Sequence, residues 1–189
     1  MKLYSFLSEK KSGVLNRWYD AILSTYPADT ARFLKGQNNP FLNPVGATTF
    51  KGIENIYEYL LHGEGEEKVS SFLDDIIRIR AVQDFTPSQC VRSILFLKEA
   101  VRGELKTEIS AYGLHDELLD FELKIDDVSL LAFDIYMGCR EKLYQLRANE
   151  LQRWTYRRLQ KADEIYKEEC VYKDIHNEVI EFERKEVAK

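Results

Sequence analysis

Apolar side chains recur at intervals of three and four along almost the whole chain, the period of a helix that buries one face. Residues 3 to 25 carry Leu3, Phe6, Leu7, Val14, Leu15, Trp18, Ile22 and Leu23 in this spacing. Tyr26-Pro27 closes the helix they predict, because proline disfavours helical geometry in the residue before it. ADTARFLK predicts a short helix, and GQNNPFLNPVG, with two prolines and two glycines, a loop. A helix from near Ala47 runs through FKGIENIYEYLLH to a break at HGEGEE. Ser70 or Ser71 is expected to cap FLDDIIRIRAVQDF, with Asp74 and Asp75 in the first turn, where the helix dipole favours anions. Thr86 caps the next helix, Pro87 takes its first position, and Gly113 closes it after about Tyr112. The last helix begins near His115 or Asp116 and is expected to reach about residue 170, since no proline follows Pro87. At 1.5 Å per residue, about 50 residues would span about 75 Å, more than a domain of this size is wide. Part of that helix must project or meet another chain. With no β-hairpin signal and no repeat, the fold class is all-α: a helical bundle with a long C-terminal helix.

The last helix changes its apolar face. Ile125, Val128, Ala132, Ile135, Cys139, Leu143 and Leu146 form one stripe, as expected of a core seam. Leu130, Phe133, Tyr136 and Met137 cover much of the rest, so this part is expected to be buried on more than one side. Beyond Leu146 the first stripe meets Arg153, Arg157 and Glu164. A second stripe, Leu151, Trp154, Leu159, Ala162, Ile165 and Tyr166, takes over, rotated by roughly 100°. This predicts a domain over residues 1–146 and a dimerising or signalling helix with a frayed polar tail over 147–189. The cheapest partner for the second stripe is the same helix of a second copy, making a homodimer. The other outcome is a helix that bends back onto its own domain.

Composition excludes little else. The 189 residues can bury roughly 70% of their unfolded surface without staples. Cys90, Cys139 and Cys170 are dispersed and odd in number, as expected for reduced, mostly buried thiols in the cytoplasm. Neither a signal peptide nor a membrane-spanning run is present. The net charge of −5 argues against a general nucleic-acid binder. RANELQRWTYRRLQK, residues 147–161, interleaves five basic residues with Trp154 and Tyr156, which keeps a nucleic-acid-binding alternative open. The acidic run DEIYKEE that follows favours a solvated face.

Candidate chemistry is sparse. His62 and His115 stand at helix ends and His176 in the polar tail, without HExxH or a His/Cys cluster. No metal, haem or other cofactor is expected. Cys90 and Cys139 have no histidine at helical spacing, and no Walker, GxGxxG or GxSxG motif occurs. Asp74-Asp75 and Asp126-Asp127 are adjacent pairs that point about 100° apart on a helix and share no site. No catalytic residue is expected. The one anomaly is FLDDIIRIRAVQDF, where Arg80, Gln83 and Asp84 fall on the face centred on Ile76. A buried arginine costs several kcal/mol without a partner. Either Arg80 pairs with Asp84 one turn away, or Arg80, Gln83 and Asp84 recognise a ligand or partner.

WYDAILSTYP, FLNPVG, FLDDIIRIRAVQDFTPSQ and LLAFDIYMGCREKLYQLRANE, in this order, resemble the N-terminal domain of the RsbRD-type RsbT co-antagonists, relatives of the stressosome scaffold proteins. The resemblance covers roughly residues 5 to 165. It implies a dimeric sensory or regulatory module with a globin-like bundle that binds no haem. In the family, such a domain feeds a long helix into a STAS domain that binds or releases a switch kinase. No STAS segment is part of this sequence, so a stand-alone module is expected. Similar stand-alone versions in anaerobic bacteria imply an adaptor role near respiratory enzymes. The partner is therefore expected to be a signalling or a respiratory protein. The family carries over no catalytic residue.

Overall fold

The computed structural model describes residues 2–36, 39–63 and 66–187, with side chains described over 2–36, 39–63, 69–167 and at 173. Cys170 and His176 lie outside the described side chains, and much of the HGEGEE break lies outside the described residues. Eight helices and no strand occur among the described residues: α1 Lys2–Glu9, α2 Lys11–Leu23, α3 Ala28–Gly36, α4 Pro44–His62, α5 Glu66–Val82, α6 Pro87–Glu104, α7 Lys106–Tyr112 and α8 His115–Val187. The fold is all-α with a long C-terminal helix.

Local signals set most boundaries. The Asn43 side chain accepts from Gly46 N at 2.8 Å, so α4 opens at Pro44, three residues before the expected Ala47. Thr86 and Gln89 form a reciprocal capping box with Pro87 in the first turn of α6. Gly63 and Gly113 close α4 and α7 with φ of 69° and 63°, where a β-carbon would be strained. Four further expectations change, the first being that α8 runs on to Val187, past the expected end near residue 170. The first expected helix breaks at Lys10, and the helix expected to reach Tyr112 breaks at Leu105 (φ −104°, ψ 16°). Neither break has a proline. Ser70 and Ser71 lie inside α5 and do not cap it.

The chain divides into two compact units, Met1–Glu141 and Lys142–Lys189. In the first, α4 packs mainly on α5, and α2 on α6. Trp18 of α2 is fully buried and donates its indole N–H to Ser93 O of α6 at 2.7 Å. The Tyr57 hydroxyl of α4 donates to Leu7 O of α1 at 3.0 Å. Arg102 of α6 grips Glu122 of α8 through Nε and Nη2, each at 2.6 Å. Lys98 pairs with Asp126 at 2.7 Å, and Glu117 accepts from the Leu3 amide at 3.0 Å. Ile125, Val128, Ala132 and Tyr136 of α8 are buried in this core. Leu130 (67% exposed), Phe133 and Met137 are not, contrary to the expectation of burial on more than one side. Only one side of α8 has neighbours here. The uncovered side carries an apolar stripe of Leu119, Leu123, Leu130, Phe133 and Met137.

The second unit has no core of its own among its described side chains. Residues 144–167 are all exposed, including Leu151, Trp154, Leu159, Ala162, Ile165 and Tyr166.

Candidate functional site

Arg80 lies on the last turn of α5 and is only 1% exposed, among the largest fully buried side chains. Its environment comes from four elements of the first unit. Nη2 donates to Thr25 Oγ1 at 2.9 Å, just beyond α2. The guanidinium carbon stands 4.0 Å from the centre of the Phe85 ring and 5.5 Å from that of Tyr26. Those two rings meet edge to face at 5.1 Å. The Cys90 thiol of α6 faces the same group: burial pushes its pKa up, and the neighbouring guanidinium opposes that rise. Tyr26 is raised in the same way, by burial against the pull of Arg80. Thiol and phenol are therefore both neutral at neutral pH and supply no counter-charge.

The expected Arg80–Asp84 pair does not form. The wheel that placed them together assumed a helix through Phe85, but α5 ends at Val82. Asp84 has φ 60°, in the left-handed region, which turns the chain before Thr86 opens α6. Asp84 is exposed and pairs with Arg140 of α8 at 3.3 Å. Gln83 is exposed as well, and its Oε1 accepts from the Tyr26 hydroxyl at 3.0 Å. Gln83, Asp84 and Phe85 thus form a turn over Arg80 instead of a polar face beside it. The Tyr136 hydroxyl pins that turn by donating to Phe85 O at 2.7 Å, and Arg140 Nη1 reaches Ala81 O at 3.4 Å.

Among the described residues Arg80 Nε and Nη1 make no well-aligned hydrogen bond, although the Tyr26 hydroxyl and the Cys90 thiol stand close enough to the guanidinium to interact with it. An unmet buried donor costs about 1–3 kcal/mol, and more for a charged group. The Thr25 bond and the ring contacts return part of this, each worth about 2 kcal/mol when desolvated. The buried charge itself stays unneutralised by any described carboxylate.

A groove of about 910 Å³ lies elsewhere, lined by residues that include Tyr19, Asp20, Lys35, Asn43 and Phe50. Several of its polar groups are committed to the fold: Tyr19 and Asn43 donate to Leu34 O, Lys35 pairs with Asp20 at 2.6 Å, and Glu54 pairs with Lys11 at 2.9 Å. No group of three or more His, Cys, Asp or Glu side chains among the described residues is placed to hold a metal ion. No helix among them is long and apolar enough to cross a membrane.

Thr25, Tyr26, Phe85, Cys90, Tyr136 and Arg140 were not singled out by sequence as neighbours of Arg80. Thr25, Tyr26, Tyr136 and Arg140 meet this region across more than 50 positions, which leaves no periodic trace, and Phe85 and Cys90 reach it only because the chain turns after Val82. The usable signal was an arginine on an apolar face whose presumed acid falls beyond the helix end.

The model of the RsbT co-antagonist protein rsbRD N-terminal domain matches residues 12–151. The chain belongs to this family. That match spans most of the first unit and enters the second, and it marks the chain as a regulatory domain of the stressosome type. An Archaeoglobus fulgidus protein described as uncharacterized is 28% identical over 138 residues, 72% of this chain and 82% of its own length. No solved structure matches the chain.

Proposed function

We propose that this chain is a non-enzymatic regulatory or adaptor module that works through protein–protein contacts, and that its C-terminal helix pairs with the same helix of a second copy. The observation that carries the reading is the second unit's apolar stripe. Tyr144, Leu151, Trp154, Leu159, Ile165 and Tyr166 are each more than half exposed. Tyr144, Leu151 and Ile165 share one heptad register, the repeat of a coiled-coil seam, with Arg158 as a charged member that such a seam carries at a cost in stability. At roughly 100 Å² each, half of a large side chain's area, the six offer about 600 Å² per copy. Two copies would bury about 1,200 Å², the lower bound for a specific interface.

The separate stripe on the first unit supports contact with a further protein, since monomers rarely leave such apolar patches open. A change of packing around α8 would then shift the paired helices, the usual way a helical two-state element passes on a signal. The test is light scattering on the full chain. The wild type should show twice the 22.2 kDa chain mass, and Leu159→Asp should return it to one. A monomeric wild type, or a variant of unchanged mass, overturns the pairing.

A further inference from the structure

The charges of the second unit are segregated along its length. Residues 147–161, RANELQRWTYRRLQK, hold five basic residues and one acidic. Residues 162–178, ADEIYKEECVYKDIHNE, hold six acidic residues and two basic. Both segments belong to the one helix α8. Arg147, Arg153, Arg157, Arg158 and Lys161 are all exposed, and at about 100° per residue they fall within a sector of about 140°. That sector adjoins the apolar stripe, because the Arg158 guanidinium carbon stands 4.1 Å from the centre of the Trp154 ring. Among the described residues of this unit the one ion pair is Lys167 with Asp163 at 3.0 Å, which leaves the basic segment without an acid.

We propose that the second copy lies antiparallel on this helix, so that the basic segment of each faces the acidic segment of the other. The proposal rests on the pairing argued above and gives it a direction. Charges that flank an apolar seam set the orientation of paired helices, and like charges held side by side are repelled. A parallel pair would align the five basic residues with the same five over about 22 Å, at 1.5 Å per residue. It would also set Arg158 against Arg158. The antiparallel pair removes both conflicts. Its two-fold axis falls where the charge changes sign, at Ala162, the smallest residue of the stripe and so the one that lets two helices approach most closely. Leu159 and Ile165 lie three residues to either side of Ala162, and Arg158 and Tyr166 four. Crossing at Ala162 therefore puts Leu159 against the partner's Ile165, and Arg158 against the partner's Tyr166. Leu159, Ile165 and Tyr166 are all exposed in the single chain. The arginine then meets an aromatic face instead of a like charge.

Two measurements separate the direction from the pairing itself. In the first, sedimentation equilibrium gives the dimer dissociation constant of the full-length protein in about 0.05 M and about 0.5 M sodium chloride. Salt screens attraction between exposed charges, so the dimer should weaken about tenfold at the higher salt. A dimer that tightens or keeps its affinity overturns the antiparallel arrangement and leaves the pairing intact. The second reads a distance. Gln152, which is exposed, is replaced by cysteine in a full-length chain that also carries Cys139→Ser and Cys170→Ser, and is spin-labelled. Double electron–electron resonance should then place the two labels of a dimer about 30 Å apart, twice the ten-residue rise from Gln152 to Ala162. A separation below about 20 Å, as expected for helices side by side in parallel, overturns the proposal. A chain that stays monomeric in both salts overturns the pairing and the direction together.

Discussion

Gly52 lets α4 pack closely against α5, and adding one methyl there should weaken the domain. A β-carbon at Gly52 would stand 2.7 Å from Ile76 Cδ1, 2.8 Å from Ile76 Cγ1 and 3.5 Å from Phe72 O. Both Ile76 contacts are far inside van der Waals separation. The terminal methyl could swing aside, but Cγ1 sits on a β-branched side chain with one dominant rotamer in a helix, and Ile76 is 1% exposed. Overpacking of this kind costs about 1–3 kcal/mol. Alanine recovers about 1 kcal/mol of helix propensity over glycine. Gly52→Ala should therefore destabilise by up to about 2 kcal/mol, read as a lower urea midpoint with an unchanged slope in far-ultraviolet circular dichroism. Ile76→Ala alone should cost about 2–5 kcal/mol by leaving a cavity. In the double variant the new methyl occupies part of that space, so the combined loss should fall short of the sum by about 1 kcal/mol. A more stable Gly52→Ala, or additivity within about 0.5 kcal/mol, would refute the close approach of these helices.

Two further outcomes follow from titrating groups. Tyr57 is held well above the ordinary tyrosine range by burial, with its hydroxyl bonded to Leu7 O; in an alkaline absorbance titration it should stay protonated until the domain unfolds, whereas Tyr57→Phe should remove that late step. Glu58 is held below the ordinary carboxylate range, chiefly by its bond to Lys11 at 2.5 Å. A carboxylate with a depressed folded pKa stabilises the fold above its unfolded value and loses that contribution as pH falls through the folded one. Stability should thus decline below about pH 4.5, and Glu58→Gln should flatten part of the decline. Identical acid profiles for both proteins would contradict the assignment.

How much of this was legible in the sequence depended on whether the cause was local. Thr86-Pro87, Gly113 and the capped start of α6 could be read because a side chain there meets its own backbone. The breaks at Lys10 and Leu105 could not, since neither proline nor glycine marks them. Periodicity picked out Ile125, Val128 and Ala132 as core. It misjudged Leu130 and Met137, because a wheel shows which residues share a face and not whether a neighbour covers it. Arg80 is the sharpest case. Its burial was implied by the company of Leu73, Ile76 and Ile77, but its true surroundings depend on where α5 stops. One residue in the left-handed region, Asp84, moved the expected partner out to Arg140. What had looked like a polar patch became an isolated buried charge.

The central claim is that the stripe from Leu151 to Tyr166 is covered in solution. The two tryptophans make it measurable, because Trp18 is fully buried and Trp154 is 54% exposed in the single chain. Acrylamide quenching of the full-length protein should find both indoles shielded at high concentration. A freely quenched fraction should appear on dilution or in Leu159→Asp, as Trp154 loses its partner helix. A freely quenched Trp154 at every concentration, equal in wild type and variant, would contradict the account.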